Sequence, residues 1–249
     1  MTTDTPSHRL DTLIIDRRFN GPTNSGNGGW VAGSLARLLG SKPVSVSLRA
    51  PAPLDQSMWV RWRDDGSIAL ETDAALIAEA CIAPLQVDIP KAPDPEEAEA
   101  AGLLAQQASS HSRADAPYAH CFGCGFARSD GLSIIPGPVG TEGMVATTWT
   151  PPTVAADSNG QLTVETTWAA LDCSAGLAWG YRLPSGTDIV TVRMTAVIDQ
   201  PLQLGQRYTV IGWPILQDGR KLHAGTAIFN ATGKTIARSR QLWLIQRPR

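Results

Sequence analysis

The strongest constraint on how this chain folds is a repeat in the order of its elements. On either side of a segment rich in Ala, Pro, Glu and Ser (88–119), it reads strand, long helix, then several antiparallel strands. In the first half "TLIIDRRF" reads as a strand, and a glycine-rich loop leads into a helix ending near Gly40. The runs "PVSVSLRAP", "SMWVRWRDDG" and "SIALETDAALIAEACIAPL" then alternate or stay apolar like strands of an antiparallel sheet. In the second half "GLSIIPGPV" and "GMVATTWTP" read as strands before a helix from about Leu162 to Tyr181, and four more strand runs follow. Landmarks recur too: Pro53-Leu54, Trp62 and Asp65-Gly66 are echoed by Pro201-Leu202, Trp213 and Asp218-Gly219. The Asp-Gly pairs fall between strand runs, where a hairpin turn needs positive φ. The expectation is an N-terminal unit at 1–87, a linker at 88–119 with a short helical patch, and a C-terminal unit at 120–249.

Composition narrows the classes of function. A chain of 249 residues that is 43% hydrophobic and 18% charged can bury a core in each half. A net charge of −2 gives no electrostatic footprint for nucleic acid. The apolar runs are far short of a membrane span, and "MTTDTPSHRLDTLIID" lacks the basic-then-apolar pattern of a signal peptide. Four cysteines in a chain of this length do not make a disulfide framework, so a cytoplasmic location is expected.

Both helices read as wrapped rather than surface-lying. The first carries Trp30, Val31, Leu35, Leu38 and Leu39 with Gly29, Ala32, Gly33 and Ala36 between them. An interior glycine costs about 1 kcal/mol relative to alanine, so Gly33 implies close approach by another element. The second helix has Val164, Trp168, Leu171, Ala175 and Trp179 at helical spacing. Two helices, each gripped by antiparallel strands, give two half-sandwiches side by side.

Two features fall outside this packing pattern. "NGPTNSGNGGW", Asn20 to Trp30, runs straight into the first helix. The first N–H groups of a helix lack internal partners and carry partial positive charge, and Gly28 and Gly29 would let a ligand carbonyl reach them. The plainer reading is a flexible turn capped by Asn27. The second feature is Asp172, in mid-helix within "AALDCSAG". Aspartate is a poor helix-interior residue, and a buried carboxylate needs partners or shifts its pKa upward. Trp168 and Gly176 flank it at one-turn spacing, so a general base or carboxylate nucleophile and a solvated Asp are both open readings.

The motifs "FNGPTNSGNGGWVAGSLARLL", "HCFGCG…DGLSIIPGPV" and "WAALDCSAGLAWG" resemble those of double-hotdog proteins of the acyl-CoA thioesterase-like superfamily. The resemblance implies an α+β fold of two tandem hotdog units, each a curled antiparallel sheet wrapped around a long central helix. It implies a thioester hydrolase acting on acyl-CoA or another acyl thioester, without a metal or other cofactor, in chains that pair as homodimers. Hotdog relatives often carry a His-Gly-Gly-like start to the central helix and an acid further along it. Here Asn27-Gly28-Gly29 occupies the first motif and Ala36 the acid position, while the second half has Thr163-Val164-Glu165 and Asp172. The complementary losses imply one composite site per chain. In it Gly28 and Gly29 would polarise the thioester and Asp172 would act as base or nucleophile. Asn27, standing where histidine is usual, and Asn24 would orient water or substrate, and Trp30 and Trp168 would line the acyl pocket. Two alternatives are carried: a non-catalytic acyl-thioester binding or regulatory protein, and an enoyl-CoA hydratase or dehydratase.

Other signals carry less. Cys121-Phe-Gly-Cys124 offers two metal ligands where a structural zinc wants four, and Cys81 and Cys173 are expected in the cores of different halves. Similar entries in hotdog relatives lie at the first strand, so a structural role is expected there. Asp218 and His223 have the spacing of hotdog hydratases, but they straddle an expected hairpin turn.

Overall fold

The computed structural model describes residues 11–110 and 118–247. Most of the N-terminal stretch read for a signal peptide, and residues 111–117 of the expected linker, lie outside the described residues. The first unit runs β1 (Asp11–Ile14), α1 (Gly28–Leu39), β2 (Val44–Leu48), β3 (Ser57–Trp62), β4 (Ile68–Glu71) and β5 (Leu76–Ile82). After α2 (Pro95–Ser110) come β6 (Gly137–Val139), β7 (Met144–Trp149), α3 (Val164–Gly180), β8 (Ile189–Ile198), β9 (Tyr208–Asp218), β10 (Lys221–Phe229) and β11 (Thr235–Ile245).

The described strands form one sheet in the order β1-β3-β4-β5-β2-β8-β11-β10-β9-β7-β6. Setting β6 aside, each half repeats one plan. The strand before the helix pairs with the second strand after it, and the strand immediately following the helix ends up at the far edge. The two halves therefore meet edge to edge through equivalent strands, β2 and β8, antiparallel with Val44 opposite Ala196 and Ser47 opposite Arg193. The seam is polar on one face: Thr195 donates to Ser45 at 3.0 Å and Arg193 to Ser47 at 3.1 Å. On the other face Val44, Val46, Met194 and Ala196 are buried in a core that spans both units.

The sheet curls around α1 and α3, which lie against each other on its inner face. Their contact is close because glycines meet backbone. A Cβ on Gly33 would lie 2.7 Å from Glu165 Cα and 2.9 Å from Trp168 Cβ, and one on Gly29 would lie 2.8 Å from Ala169 Cα. The close approach expected at Gly33 is thus the partner helix. Nearly all of α3 is buried, because the sheet covers one side of it and α1 the other.

Local boundaries differ from the sequence reading in three places. The first strand stops at Ile14, because Asp16 caps a short 3-10 turn by accepting the Arg18 N–H. "GLSIIPGPV" forms a strand only at its end, β6. Its earlier part instead hangs Leu132 N–H on the Phe122 carbonyl and Ile134 N–H on that of Gly123. The helical patch in the linker is a 16-residue helix, α2, with Ala98, Ala101 and Ala105 buried. It packs against β6 and β7 in a smaller second core with Ile211, Trp213 and Phe229. Asp65-Gly66 closes the β3–β4 hairpin, with Gly66 at φ 77°. No helix among the described residues is long and apolar enough to cross a membrane.

Candidate active site

The glycine-rich loop before α1 is folded, not slack. Gly21 N–H bonds the Ser25 carbonyl, Gly26 N–H that of Ala52, and Asn27 N–H that of Phe19. Asn27 caps the helix: its Oδ1 accepts the Trp30 N–H at 2.9 Å. That bond fixes the amide's orientation and leaves Nδ2 as a donor facing inward.

Asp172 reaches the start of α1 from α3. Only 3% exposed, its carboxylate accepts the Gly29 N–H at 2.9 Å on Oδ2, with Asn27 Nδ2 at 3.5 Å from the same oxygen. The other oxygen accepts the Thr191 hydroxyl, from β8, at 2.8 Å. Burial pushes the carboxyl up to about 7, against the opposing pull of the Thr191 hydroxyl and the Gly29 N–H. A carboxyl so poised exchanges a proton near neutrality, and the positive end of α1 lies against its charged form.

This geometry divides the two glycines that the sequence reading paired. The Gly29 N–H already serves Asp172. The Gly28 N–H has no acceptor among the described residues. A Cβ at Gly28 would meet Asp172 Oδ2 and Leu48 Cδ1 at 3.2 Å and Thr191 Cβ at 3.3 Å. One free backbone donor therefore borders the carboxylate, with an aliphatic and a hydroxyl side chain beside it.

The pseudo-symmetric position is built differently. Thr163 caps α3 by accepting the Thr166 N–H, but no glycine pair follows. Ala36 is buried where Asp172's counterpart would stand. Beside it Arg37 donates to Glu165 at 2.7 Å, an ion pair that bridges the two helices where the first site has its carboxylate and glycine.

The remaining candidates are dispersed. Asn24 lines a surface groove of about 400 Å³ with Asn20, Thr23, Pro53 and His120. Trp30 stacks on Phe19 with ring centroids 3.5 Å apart and meets Phe122 edge-on. Trp168 is 2% exposed, packed in the main core. Asp218 ends β9 and His223 is the third residue of β10, across a hairpin turn as expected.

The cysteines depart from the sequence reading. Cys81 is exposed on β5 rather than in a core. Cys121 and Cys124 lie on a turn, not a strand, and Cys173 of α3 comes against them, with Cys121 and Cys173 sulfurs 3.7 Å apart. The thiols of Cys124 and Cys173, and after them the backbone N–H groups of Cys124 and Gly123, hold the Cys121 sulfur well below the usual thiol range despite its burial. The sequence reading therefore missed Thr191, Leu48 and this cluster. The "HCFGCG" motif was the available signal for the cysteines; Thr191 and Leu48 had none, being ordinary strand residues.

Comparison with known proteins bears on the fold. A hot dog fold protein of unknown function from Alicyclobacillus acidocaldarius is 11% identical, with 98% of this chain and 96% of that one covered at a TM-score of 0.61. A protein from Thermobifida fusca provisionally named thioesterase II is 15% identical over 95% of this chain and 93% of its own, at 0.64. The tesB protein of Mycobacterium avium subsp. paratuberculosis is 15% identical over 96% of each chain, at 0.55. At these identities the likeness is one of fold: an α+β double hotdog along nearly the whole chain. No protein-family model and no curated protein matches the sequence.

Proposed function

We propose that this double-hotdog chain is an acyl-CoA thioesterase-like hydrolase with one composite active site. The observation that carries the reading is the placement of the Asp172 carboxylate, from the second unit, at the open start of the first unit's helix, 2.9 Å from the Gly29 N–H. In this reading the free Gly28 N–H takes the thioester carbonyl oxygen, and such a donor is worth about a hundred- to a thousand-fold in rate. Gly29, Asn27 and Thr191 aim the carboxylate. Asp172 then draws a proton from water as it attacks the carbonyl carbon, or attacks directly to form an anhydride that water opens. In either case the carbon–sulfur bond breaks and the thiol departs. The Arg37–Glu165 ion pair supports treating the pseudo-symmetric position as closed. The solved neighbours named as thioesterases agree with this class.

The test is thiol release from short-chain, long-chain and aromatic acyl-CoAs by wild type and Asp172→Asn. A fall of about a hundred-fold or more is expected, the usual weight of a general acid–base group. Equal turnover by the two proteins would refute the assignment of Asp172. Label in the Asp172 carboxyl group after a single turnover in ¹⁸O-water identifies the nucleophile route with water opening the anhydride at the aspartyl carbon.

One observation favours a second reading, a non-catalytic acyl-thioester binding protein. Asp172 is almost wholly buried and both of its oxygens accept hydrogen bonds, as a purely structural bridge between the units would require. Tight acyl-CoA binding with no turnover across the panel would decide for it. The wider proposal places units at 1–87 and 120–249 around a connector, in a cytoplasmic homodimer. Light scattering on the purified chain tests the dimer.

A further inference from the structure

Beside Asp172, but independent of the thioesterase reading, lie three cysteines from two distant parts of the chain. The sulfurs of Cys121, Cys124 and Cys173 all lie within 4.8 Å of one another. Cys121 and Cys173 are buried and Cys124 is half-buried. The separation of the Cys121 and Cys173 sulfurs, 3.7 Å, can be set against tetrahedral zinc. A Zn–S bond of about 2.3 Å puts neighbouring sulfurs roughly 3.8 Å apart.

The surroundings are shaped for sulfur carrying charge. The Gly125 N–H closes the turn on the Cys121 carbonyl at 2.7 Å. A Cβ at Gly125 would lie 2.6 Å from Cys121 N, so the turn tolerates only glycine after its second cysteine. At Gly123 a Cβ would stand 2.7 Å from the Cys173 sulfur, so this glycine is what admits the third thiol. Asn27 Nδ2, its orientation fixed by the helix cap, points at Cys121 and Cys173 from 3.7 and 4.0 Å. The Phe122 and Gly123 carbonyls, bonded by Leu132 and Ile134, brace the turn from behind.

On sequence alone, one Cys-x-x-Cys pair supplies only two ligands and speaks against a metal. The fold supplies the third from α3. We propose that Cys121, Cys124 and Cys173 form a metal site for a zinc-class divalent cation, with three thiolate ligands and the fourth position left to a non-protein ligand. Among the described residues, no fourth His, Cys, Asp or Glu atom belongs to the cluster. Each thiol gives up its proton on binding, and the cation balances charge that three such closely spaced thiolates could not carry alone. Bound there, the ion would tie the turn of the second unit to α3, against the residue that caps α1.

The test uses the full chain, purified under reducing conditions without chelator, for elemental analysis. A chelator-stripped sample is then titrated with Co²⁺. About one zinc per chain and a saturable thiolate-to-cobalt charge-transfer band are expected. Cys121→Ser, Cys124→Ser and Cys173→Ser should each lose or strongly weaken the band, while Cys81→Ser, at an exposed position of β5, should keep it. Circular dichroism identifies any variant that fails to fold, and the wild-type titration decides without the variants. Reduced wild-type protein that takes up no zinc and gives no cobalt band overturns the proposal. So does a band that survives Cys173→Ser, or a Cys121–Cys173 disulfide found by mass spectrometry in place of bound metal.

Discussion

Gly28 and Gly29 are adjacent and chemically identical, yet the structure assigns them opposite consequences on substitution. A Cβ at Gly29 would sit 2.7 Å from Asp172 Cβ and 2.8 Å from Ala169 Cα. Carbon atoms pack at roughly 3.5–4.0 Å, and these belong to the body of α3 rather than to flexible side-chain ends. The helices must part by close to ~1 Å, and overpacking of this kind costs about 1–3 kcal/mol. The same movement stretches the 2.9 Å bond from Gly29 to Asp172 towards the limit of a hydrogen bond, and bonds to charged groups are worth about 1.5–3 kcal/mol. Helix propensity returns at most ~1 kcal/mol. The net expectation for Gly29→Ala is a loss of about 3 kcal/mol, a large share of a typical domain's stability. At Gly28 the new methyl meets only side-chain atoms, at 3.2 to 3.3 Å, which yield by a few tenths of an ångström. Gly28→Ala should change stability by less than about 1 kcal/mol while crowding the free N–H and lowering turnover. Urea unfolding followed by tryptophan fluorescence, run beside thiol release, reads both effects. A Gly29→Ala protein as stable as wild type would refute the packing argument, and Gly28→Ala with full turnover would remove Gly28 from the site.

Thr191→Val leaves Asp172 Oδ1 without its donor and should lower stability by about 1–3 kcal/mol, checked by urea midpoint. Arg37→Ala leaves Glu165, whose side chain is only 11% exposed, without its partner, so it should cost about 1–3 kcal/mol by urea midpoint and leave turnover unchanged in the thiol assay. Glu79 is held below the usual carboxylate range by hydrogen bonds from Arg63 and then Arg49. Because its folded pKa is the depressed one, its contribution is present above the ordinary carboxylate value and lost as pH falls through the folded value. Glu79→Gln should therefore lose a little stability at neutral pH and none in acid, seen as a flatter urea midpoint between about pH 6 and 3.

Sequence by itself determined the architecture, because the signals involved are local. Alternation in the strand runs, the Asp-Gly turns and the small-residue helices act over a few residues, and their repeated order leaves little choice but two equivalent units. It also flagged Gly28, Gly29 and Asp172, since glycines at a helix start and a carboxylate in an apolar helix each violate the local pattern around them. Only tertiary structure decided how these residues are used. The bond from Gly29 to Asp172 joins residues 143 apart in the chain, and it exists because α1 and α3 cross at two glycines under a sheet sealed by β2 and β8. That crossing takes the Gly29 N–H for the carboxylate and leaves Gly28 free. It also brings Thr191 to the second oxygen and carries Cys173 to a turn 52 residues earlier. Pairings of this kind follow from where elements dock, and docking is set by the summed burial of both units rather than by any residue's own neighbours.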